Sequence, residues 1–526
     1  MTPDPSAPHR LGRLAEAGAD GAVLEELLAY DVPLLPLPDA RSAAIPRDDE
    51  AHLAAWSGYL NEAREAGLVP ALARHLPQLR FPVREGMSAA ESYRRAVRQG
   101  IFPAEDDAEA TGLPLARPEG VTLTLHPTLA GRFPVLVAEA REDFESLVRA
   151  FSARNEPVPV PASMGACLVK GFNNWDRLNA FRRAWEAEHS GGDWDAEWPA
   201  VVARKELYED RFVVLSSGPY SGVPAAEAGF PEAEWRERSL RIRRDHEATH
   251  YLTLRAAGTS RNNLLDEVLA DWVGLVRTFG GYDERLALLF FGLERFPAYR
   301  AGARLENYRG KPPLSDAAFE VVKRLVHGAV RNLSAVDAAT PERERDGELL
   351  ARRVLVFAAL GLAELAAPDL PERAADLLPP PSPRLSLSVP PDLDGVARAG
   401  EEFVRFAERC RLPAKTVADL RVVLDEVLSN VVKYAFEGKE RLPIDVEAVL
   451  AESALQITVA DRGREFDPLS KSEPDVGAPM SERPIGGLGI LLVKRLTDSQ
   501  AWTRTEGVNR LTLTKNLGGP DVRTGR

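Results

Sequence analysis

Cysteine is scarce in this chain, which has only Cys167 and Cys410, far apart in the sequence. This scarcity excludes a disulfide framework and a metal site built from thiolates. Positive charge is also in deficit, because 66 lysines and arginines face 79 aspartates and glutamates and the formal net charge is −13. Binding to a nucleic-acid backbone needs a basic surface, so the charge balance excludes nucleic acid as the expected partner.

Long hydrophobic runs are missing as well. The first 20 residues contain no apolar stretch suited to a secretory signal. The most apolar segment, residues 354–367, is too short for a membrane span and contains Glu364. We therefore expect a buried helix at 354–367, no membrane partner and a cytoplasmic location. The 526 residues exceed what one hydrophobic core organises, so the chain is expected to be multidomain.

A proline-rich stretch, Pro379-Pro-Pro-Ser-Pro383, marks the clearest boundary. Proline donates no backbone N–H and favours extended chain, which predicts a semi-rigid linker. Upstream, strand-like runs at 121–126 and 211–216 stand among helical patterns, and from 233 to 366 the pattern is almost entirely helical. The sequence thus predicts an α+β region of undetermined fold, a mainly helical region, the linker, an α/β domain and a tail: residues 1–200, 201–366, 367–384, 385–518 and 519–526.

The last domain has the clearest pattern of elements. Helical spacing covers residues 393–410, 414–436 and 489–497. Strand-like alternation covers residues 385–389, 444–450, 454–460, 501–505 and 510–515. Helices packed on one face of a mixed sheet would form a two-layer α/β sandwich.

The second helix of this domain carries a carboxylate and a carboxamide, Glu426 and Asn430. Being four residues apart, they share one helix face. An amide oxygen suits Mg²⁺, and a carboxylate suits the orientation or deprotonation of an attacking group in phosphoryl transfer. The structural alternative is an ordinary solvated helix face.

Two glycine-containing segments follow. Asp461-Arg-Gly463 comes at the end of a strand-like run, where the carboxylate can accept a hydrogen bond from an adenine amino group and Gly463 lets the backbone approach the ring. Ile485-Gly-Gly-Leu-Gly489 opens a helix, where backbone N–H groups face phosphate oxygens. The polar, Pro-containing residues 469–484 between them suit a mobile lid.

In order and spacing, these three segments resemble the GHKL ATPase superfamily, and the compact form with a short lid resembles the anti-sigma factor serine/threonine kinases. The resemblance implies that Glu426 is the catalytic base and that Asn430 is a Mg²⁺ ligand. It also implies that Asp461 and Gly463 contact adenine. The glycines implied to line the phosphates are Gly486, Gly487 and Gly489. The implied cofactors are ATP and Mg²⁺. The implied acceptor is a serine of an anti-anti-sigma partner protein.

Other features of the domain refine this resemblance. Residues 385–515 contain no histidine, which argues against a histidine kinase. Glu465 stands where the family usually has a second glycine, near the predicted lid. Because the related kinases are dimers, the resemblance also implies a homodimer. The alternative to a kinase is a non-catalytic ATP-binding module that sequesters a sigma-like partner.

A second constellation, His246-Glu-Ala-Thr-His250, lies in the helical region. On a helix both histidines occupy one face one turn apart, as zinc requires, and Glu247 stands beside them to activate a water molecule. Glu267 follows on another helical pattern and completes a His₂Glu set, while Asp271, one turn further on, can hydrogen-bond a ligating histidine. The alternative is a pair of surface histidines on an amphipathic helix.

This pairing resembles the thermolysin-type gluzincin metallopeptidases over a short segment, which implies Zn²⁺ and a peptide substrate. His327, the only histidine after His250, is the candidate for stabilising the oxyanion, with Tyr299 and Tyr308 as alternatives and a buried or capping role as the structural alternative. The run at 211–216 is the candidate for the edge strand that would bind substrate.

Together, the two constellations predict a bacterial regulatory protein with an anti-sigma-type kinase domain fused to a metallopeptidase-like region. The alternatives are a partner-binding module with a structural zinc scaffold, and a protease gated by ATP. A further segment, Ser217-Gly-Pro-Tyr-Ser-Gly222, is read as a turn cluster, because it lacks the lysine of a P-loop.

Overall fold

The computed structural model of the chain describes residues 7–42, 45, 49–190, 192–258, 263–341, 347–378, 383–436, 440–450, 454–470, 488–505 and 507–517. The chain divides into two compact units, Met1–Pro379 and Pro380–Arg526. Across these described ranges, no helix is long and apolar enough to cross a membrane.

The first unit is built around a four-stranded sheet with helices before, between and after its strands. Its strands are β1 (Val121–Thr128), β2 (Gly131–Ala138), β3 (Ala166–Asn173) and β4 (Glu209–Ser216). The helices that precede the last strand are α1 (Ala7–Glu16), α2 (Gly21–Tyr30), α3 (Leu37–Ser42), α4 (Leu53–Ala66), α5 (Leu68–His75), α6 (Glu91–Gln99), α7 (Arg141–Ser152), α8 (Trp175–Glu188) and α9 (Trp194–Ala203). The helices that follow it are α10 (Ala225–Ala228), α11 (Glu232–Ala257), α12 (Leu264–Phe279), α13 (Glu284–Phe291), α14 (Asp316–Ala338), α15 (Gly347–Ala358), α16 (Leu362–Leu365) and α17 (Leu370–Leu377).

The sheet has the order β1-β2-β4-β3 and separates two layers of helices. Strands β2 and β4 are parallel, and both outer pairings are antiparallel. Leu136 and Val214 face a core shared with α4, α5 and α7, whereas Val135 and Val213 face the core that contains α11 and α12. This alternation is expected of strands buried on both faces.

The position of β4 corrects one prediction. The sequence makes residues 211–216 the candidate for an edge strand, but β4 lies between β2 and β3, and Phe212–Leu215 are all buried. The edges of this sheet are β1 and β3. Strand β3 escapes prediction from the sequence because Lys170 and Gly171 interrupt its apolar pattern.

The first unit also joins regions that the sequence separates. The predicted boundary at 200–201 falls inside α9, and one core contains Leu14 and Leu27 of the first helices together with Leu325 of α14 and Leu365 of α16. The predicted linker at 367–384 is corrected in part, because residues 370–377 form α17, with a proline in the first turn, where its missing N–H costs no helical hydrogen bond. Residues 233–366 are mostly helical, as predicted, and the apolar segment 354–367 is largely buried in α15 and α16.

The second unit is a two-layer α/β sandwich, as predicted. Its elements are β5 (Arg384–Val389), α18 (Leu393–Arg409), α19 (Ala414–Tyr434), β6 (Ile444–Leu450), β7 (Ala454–Asp461), α20 (Leu488–Leu496), β8 (Ser499–Thr505) and β9 (Val508–Asn516). Phe403 and Leu424 of the helices share one core with Val446 and Ile457 of the sheet. The strand order is β5-β6-β7-β9-β8, and every pairing in the described residues is antiparallel, which corrects the predicted mixed sheet.

Candidate functional site

Helices α11 and α12 bring the histidine motif and Glu267 together. Helix α12 begins at Asn263, whose side chain accepts the N–H of Asp266 at 3.0 Å and so fixes the first turn. Gly274 lets the two helices approach closely, since a Cβ there would lie 2.8 Å from the carbonyl oxygen of Ile242. The facing turns of the helices therefore meet with little tolerance for displacement.

The three predicted ligands converge on one point. The two Nε2 atoms of His246 and His250 are 3.1 Å apart, and each is 3.5 or 3.6 Å from an oxygen of Glu267. Tetrahedral zinc with bonds of about 2.0–2.1 Å places neighbouring ligand atoms about 3.3 Å apart. All three side chains are buried. The donor set and its spacing fit one zinc ion.

A carboxylate contacts the Nδ1 atom of each imidazole ring, on the side away from the centre of the cluster. Nδ1 of His246 lies 2.9 Å from an oxygen of Asp271, and Nδ1 of His250 lies 2.8 Å from an oxygen of Asp266. Each carboxylate accepts a hydrogen bond from Nδ1–H, which directs the Nε2 lone pair to the centre. Asp271 has the position that the sequence predicts for it, whereas the sequence does not predict the contact of Asp266.

The electrostatics of this cluster favour a cation at its centre. Burial disfavours the charged form of both rings, yet hydrogen bonds to Asp271 and Glu267 raise the pKa of His246. Burial opposes, but Asp266 and Glu267 raise the pKa of His250 as well. Burial raises the pKa of Glu267, but the two adjacent histidines outweigh it and lower that pKa well below its ordinary value. The carboxylates thus supply negative charge to a largely buried centre.

Residues from distant loops complete the surroundings. Tyr220 donates to Asp271 at 2.5 Å, and Arg304 donates to the other Asp271 oxygen and to Ser221 at 3.0 Å. Tyr308 donates to an oxygen of Glu267 at 2.7 Å. The sequence suggests no role for Tyr220 or Arg304, because neither belongs to a motif or a helical period with the histidines.

Glu247 lies beside the cluster but outside its triad of ligand atoms. It is half-buried on α11, and its charge acts on Arg243 of the same helix and on the Cys167 thiol of β3. Its carboxylate is therefore near enough to Cys167 of the edge strand β3 and to Arg243 for its charge to act on both.

His327 is not brought to the cluster. It lies in α14 and stacks on Phe296, with ring centroids 4.1 Å apart, and its pKa is lowered by burial and then by the charge of Arg331. Of the two tyrosine alternatives, Tyr308 reaches Glu267, whereas Tyr299 donates to the backbone oxygen of Ala303. The structure therefore gives the oxyanion role of His327 no support.

In the second unit, a cavity lies between α19, β7, β8 and the start of α20. Its walls include Asn430, Tyr434, Asp461 and Trp502. The buried Asp461 accepts hydrogen bonds from the N–H of Gly463 at 2.8 Å and from Asn509 at 3.0 Å, both at one oxygen. These bonds hold the carboxylate at the cavity wall, where it can accept from an amino group of a flat ring.

Asn430 lines the cavity from α19, and Glu426 lies one helical turn before it on the same helix. Nδ2 of Asn430 donates to Oε1 of Glu426 at 2.9 Å, which leaves the amide oxygen for a cation. A Cβ at Gly489 would lie 1.8 Å from the same Glu426 oxygen, and one at Gly463 would lie 2.5 Å from Ala435. Both glycines therefore permit a close approach that no other residue allows.

Two predicted features lie outside the described residues: Gly486 with Gly487, and the lid after residue 470. Glu465 is described, and it points away from the cavity. Its side chain is 73% exposed and lies 3.7 Å from Arg504 of β8. A carboxylate so placed meets solvent and an arginine instead of the anionic ligand.

Comparisons with known proteins agree with this geometry in the second unit. Residues 389–515 match the family described as Histidine kinase-like ATPase domain. Serine-protein kinase RsbW of Listeria monocytogenes is 29% identical over 143 residues, which are 26% of this chain and 90% of the relative. RsbW of Oceanobacillus iheyensis is 30% identical over 131 residues, 24% of this chain and 81% of the relative. Serine/threonine-protein kinase BtrW of Bordetella bronchiseptica is 27% identical over 111 residues, which are 21% of this chain and 78% of the relative.

Two solved structures also match this chain, both with a low TM-score. A crystal structure of the RsbU and RsbW domains of a Mycobacterium tuberculosis protein matches at 15% identity, with a TM-score of 0.20, and covers 35% of this chain and 50% of that one. The histidine kinase domain of a blue-light activated histidine kinase from Erythrobacter litoralis matches at 16% identity, with a TM-score of 0.16. This match covers 39% of this chain and 95% of that one.

Residues 12–369 match a different family, described as Family of unknown function (DUF7005). The chain therefore belongs to the family of unknown function DUF7005, through residues 12–369. Its second unit is a histidine kinase-like ATPase domain and belongs to the family of the RsbW serine-protein kinases. The predicted resemblance to anti-sigma kinases is confirmed, whereas these matches lend no support to the thermolysin-type resemblance, which stays a prediction.

Proposed function

We propose that the second unit is an ATP- and Mg²⁺-dependent protein kinase that phosphorylates a serine or threonine of a partner protein. The observation that carries the proposal is the pair Glu426 and Asn430, joined by a hydrogen bond of 2.9 Å, with Asn430 on the wall of the cavity that also contains Asp461. The cavity then has an end for adenine and an end for the phosphates. The relatives named serine-protein kinase support the same reaction class.

Each residue has a separable task in this reaction. Asp461 accepts the adenine amino group, and its bonds to Gly463 and Asn509 keep it in place. The amide oxygen of Asn430 holds Mg²⁺, whose charge neutralises the phosphate oxygens during transfer. Oxygens of Glu426 orient the acceptor hydroxyl and take its proton as the new phosphate ester forms.

The acceptor we propose is an anti-anti-sigma-like protein, with a sigma-like protein as a second partner and a homodimer as the working form. This choice rests on the similarity to RsbW. A non-catalytic module that sequesters the same partners is the alternative. Phosphate transfer to a partner serine distinguishes the two, since a sequestering module binds its partner without turnover.

Replacing Asn430 with alanine tests the nucleotide site. We expect the affinity for ATP in Mg²⁺ to fall at least about tenfold, because the variant loses the only amide oxygen proposed for the cation. Isothermal titration of the full-length chain measures the change. Val422→Ala is the matched control, since Val422 lies on the same helix and is 47% exposed. An unchanged affinity in Asn430→Ala would refute the assignment.

For the first unit we propose a zinc site held by His246, His250 and Glu267, with metallopeptidase activity. The favouring observation is that both Nδ1 atoms contact carboxylates while both Nε2 atoms face Glu267. When bound, Zn²⁺ acts as a Lewis acid on a carbonyl and lowers the pKa of water. In this proposal Glu247 takes a proton from the attacking water, and Tyr308, whose hydroxyl donates to Glu267 in the structure, would turn to donate to the developing oxyanion.

The edge strand for a peptide substrate in this proposal is β3, instead of residues 211–216. The charge of Glu247 acts on Cys167 of β3, so the proposed base stands beside that strand. An extended peptide can add to an unpaired sheet edge through main-chain hydrogen bonds.

Metal content of the purified full-length chain tests the zinc site. We expect about one zinc per wild-type chain and loss of most of it in His250→Ala, because a ligand and its carboxylate contact are removed together. His189→Ala is the control, since it removes an exposed histidine by the same change. A wild-type protein that stays free of metal after refolding with zinc would contradict the proposal.

A further inference from the structure

A cavity of about 370 Å³ lies at one end of the region between α11 and β3. Its walls come from the residues that precede β3, the turn that follows β4 and one side of α11, and they include Met164, Gly165, Ser217, Trp235 and Arg243. It therefore adjoins the carboxyl ends of the parallel strands β2 and β4, where ligands bind in many α/β sheets. The turn cluster at 217–222 forms part of it.

Arg243 is the buried cation of this cavity, with only 4% of its surface exposed. Its guanidinium donates to the carbonyl oxygens of Ser216 at 2.7 Å, Gly218 at 3.1 Å and Pro219 at 3.1 Å. A guanidinium has five N–H groups. These three bonds all go to carbonyl oxygens, and within the described ranges no carboxylate accepts from Arg243, so donors remain for an anion.

The charges around Arg243 do not neutralise it within the cavity. Burial lowers the pKa of Arg243 to about 10, so the group stays cationic at neutral pH, and the charge of Arg141 acts on it as well. Of the carboxylates on the wall, Glu139 pairs with Arg117 at 3.0 Å, and Glu232 is exposed at the first residue of α11. The charge of Glu247, one helical turn away, acts on Arg243 and offsets part of the cost of its burial, and an anionic ligand in the cavity would offset more of it.

The packing of α11 against β3 sets the distance from this cavity to Glu247 beside the proposed zinc site. Arg243 packs on Gly165, where a Cβ would lie 2.5 Å from Nε. Further along, burial and then the charge of Glu247 raise the pKa of Cys167, so Glu247 lies near that part of β3. Glu247 follows Arg243 by one helical turn on α11, and Cys167 of β3 follows Gly165 by two residues. Both steps lead away from the cavity, so β3 runs from the cavity towards Glu247. Both steps span about 5–7 Å. An extended peptide covers that length with one or two residues.

We propose that this cavity binds the C-terminal carboxylate of a peptide that pairs antiparallel with β3. Because β3 runs from the cavity towards Glu247, an antiparallel peptide runs from Glu247 towards the cavity and ends there. The proposal rests on the peptidase activity proposed above and names its substrate class: chains cleaved one or two residues before a free C-terminus. Water adds its hydroxyl to the scissile carbonyl carbon, the C–N bond breaks, and the released amine takes the proton.

The site also selects against a bare inorganic anion. Its volume exceeds that of a phosphate ion several-fold, and Trp235 and Met164 supply apolar wall beside the guanidinium. A ligand that combines an anion with apolar side chains uses both features. A peptide terminus has this chemistry.

Binding to two probes tests the proposal: acetyl-trialanine with a free carboxylate and the same peptide as its amide. Calorimetry uses the full-length Glu247→Gln variant, so that neither peptide is consumed. We expect the acid to bind at least about tenfold more tightly than the amide, as for a charge-assisted, bidentate contact. Arg243→Lys in the same background keeps the charge, loses the paired donors and should remove most of that preference. Gly165→Ala should do the same by displacing the guanidinium, which covers the case in which Arg243→Lys fails to fold.

The outcomes separate this pocket from the peptidase proposal. Equal binding of acid and amide overturns the pocket, even if the wild type cleaves peptides. A preference for the acid that both variants retain also overturns it, because the carboxylate then binds elsewhere. A preference that depends on Arg243, in a wild-type protein that cleaves neither probe, supports the pocket and refutes hydrolysis.

Discussion

Glu426→Gln is expected to slow phosphate transfer about 100- to 10,000-fold and to leave ATP affinity within about twofold of wild type. The split follows from the geometry. Oε1 of Glu426 accepts the amide N–H of Asn430 at 2.9 Å, and the carbonyl oxygen of glutamine can accept the same bond. The Mg²⁺ ligand therefore keeps its orientation, while the group that takes the proton of the acceptor hydroxyl is lost.

The measurement uses γ-labelled ATP, Mg²⁺ and a cell extract of the organism from which the chain comes, with labelled serine or threonine as the product. Titration of ATP into the same proteins gives the affinity. Glu408→Gln, an exposed glutamate on α18, is the control for the substitution itself. Transfer at the wild-type rate in Glu426→Gln would rule out the assigned base, and transfer by neither protein would favour the sequestering module.

Glu247→Gln is expected to reduce peptide cleavage about 100- to 10,000-fold without loss of zinc. Glu247 follows His246 on α11, yet the triad of possible ligand atoms consists of the two histidines and Glu267. Substituting Glu247 therefore removes the proposed base and no ligand. A library of proteome-derived peptides, read by mass spectrometry, detects cleavage in a wide range of peptide sequences at once.

The matched control for this experiment is Glu237→Gln, which changes an exposed glutamate of the same helix. Elemental analysis of each protein establishes the zinc content. Cleavage that persists at the wild-type rate in Glu247→Gln with zinc bound would disprove the role of this carboxylate. Zinc without cleavage in the wild type would support the structural scaffold instead.

The sequence predicts the site most completely where all groups lie on one helix. Glu426 with Asn430, and His246 with His250, are each four residues apart, so helical geometry alone places them on a common face. Glu267 and Asp271 follow the same rule on the next helix. Their meeting with the histidines follows from the packing of α11 on α12, which the motif spacing anticipates and Gly274 permits.

Groups that reach the site from separate loops are beyond such reasoning. Tyr220, which precedes α10, and Arg304, which follows α13, both contact Asp271, and their positions depend on the tertiary fold. His327 illustrates the converse: it is prominent because histidines are rare, but α14 places it against Phe296. Neighbouring strands of a sheet are often distant in the sequence as well. The interior position of β4 and the antiparallel pairing of the second sheet therefore do not follow from local sequence patterns.

The central claim is that one chain carries two cofactor sites, a zinc site in its first unit and an Mg²⁺-ATP site in its second. Native mass spectrometry of the full-length protein with Mg²⁺ and ATP tests both at once. The account predicts a species whose mass exceeds that of the bare chain by one zinc and one nucleotide per chain. A chain that binds nucleotide but never zinc, or zinc but never nucleotide, would contradict it.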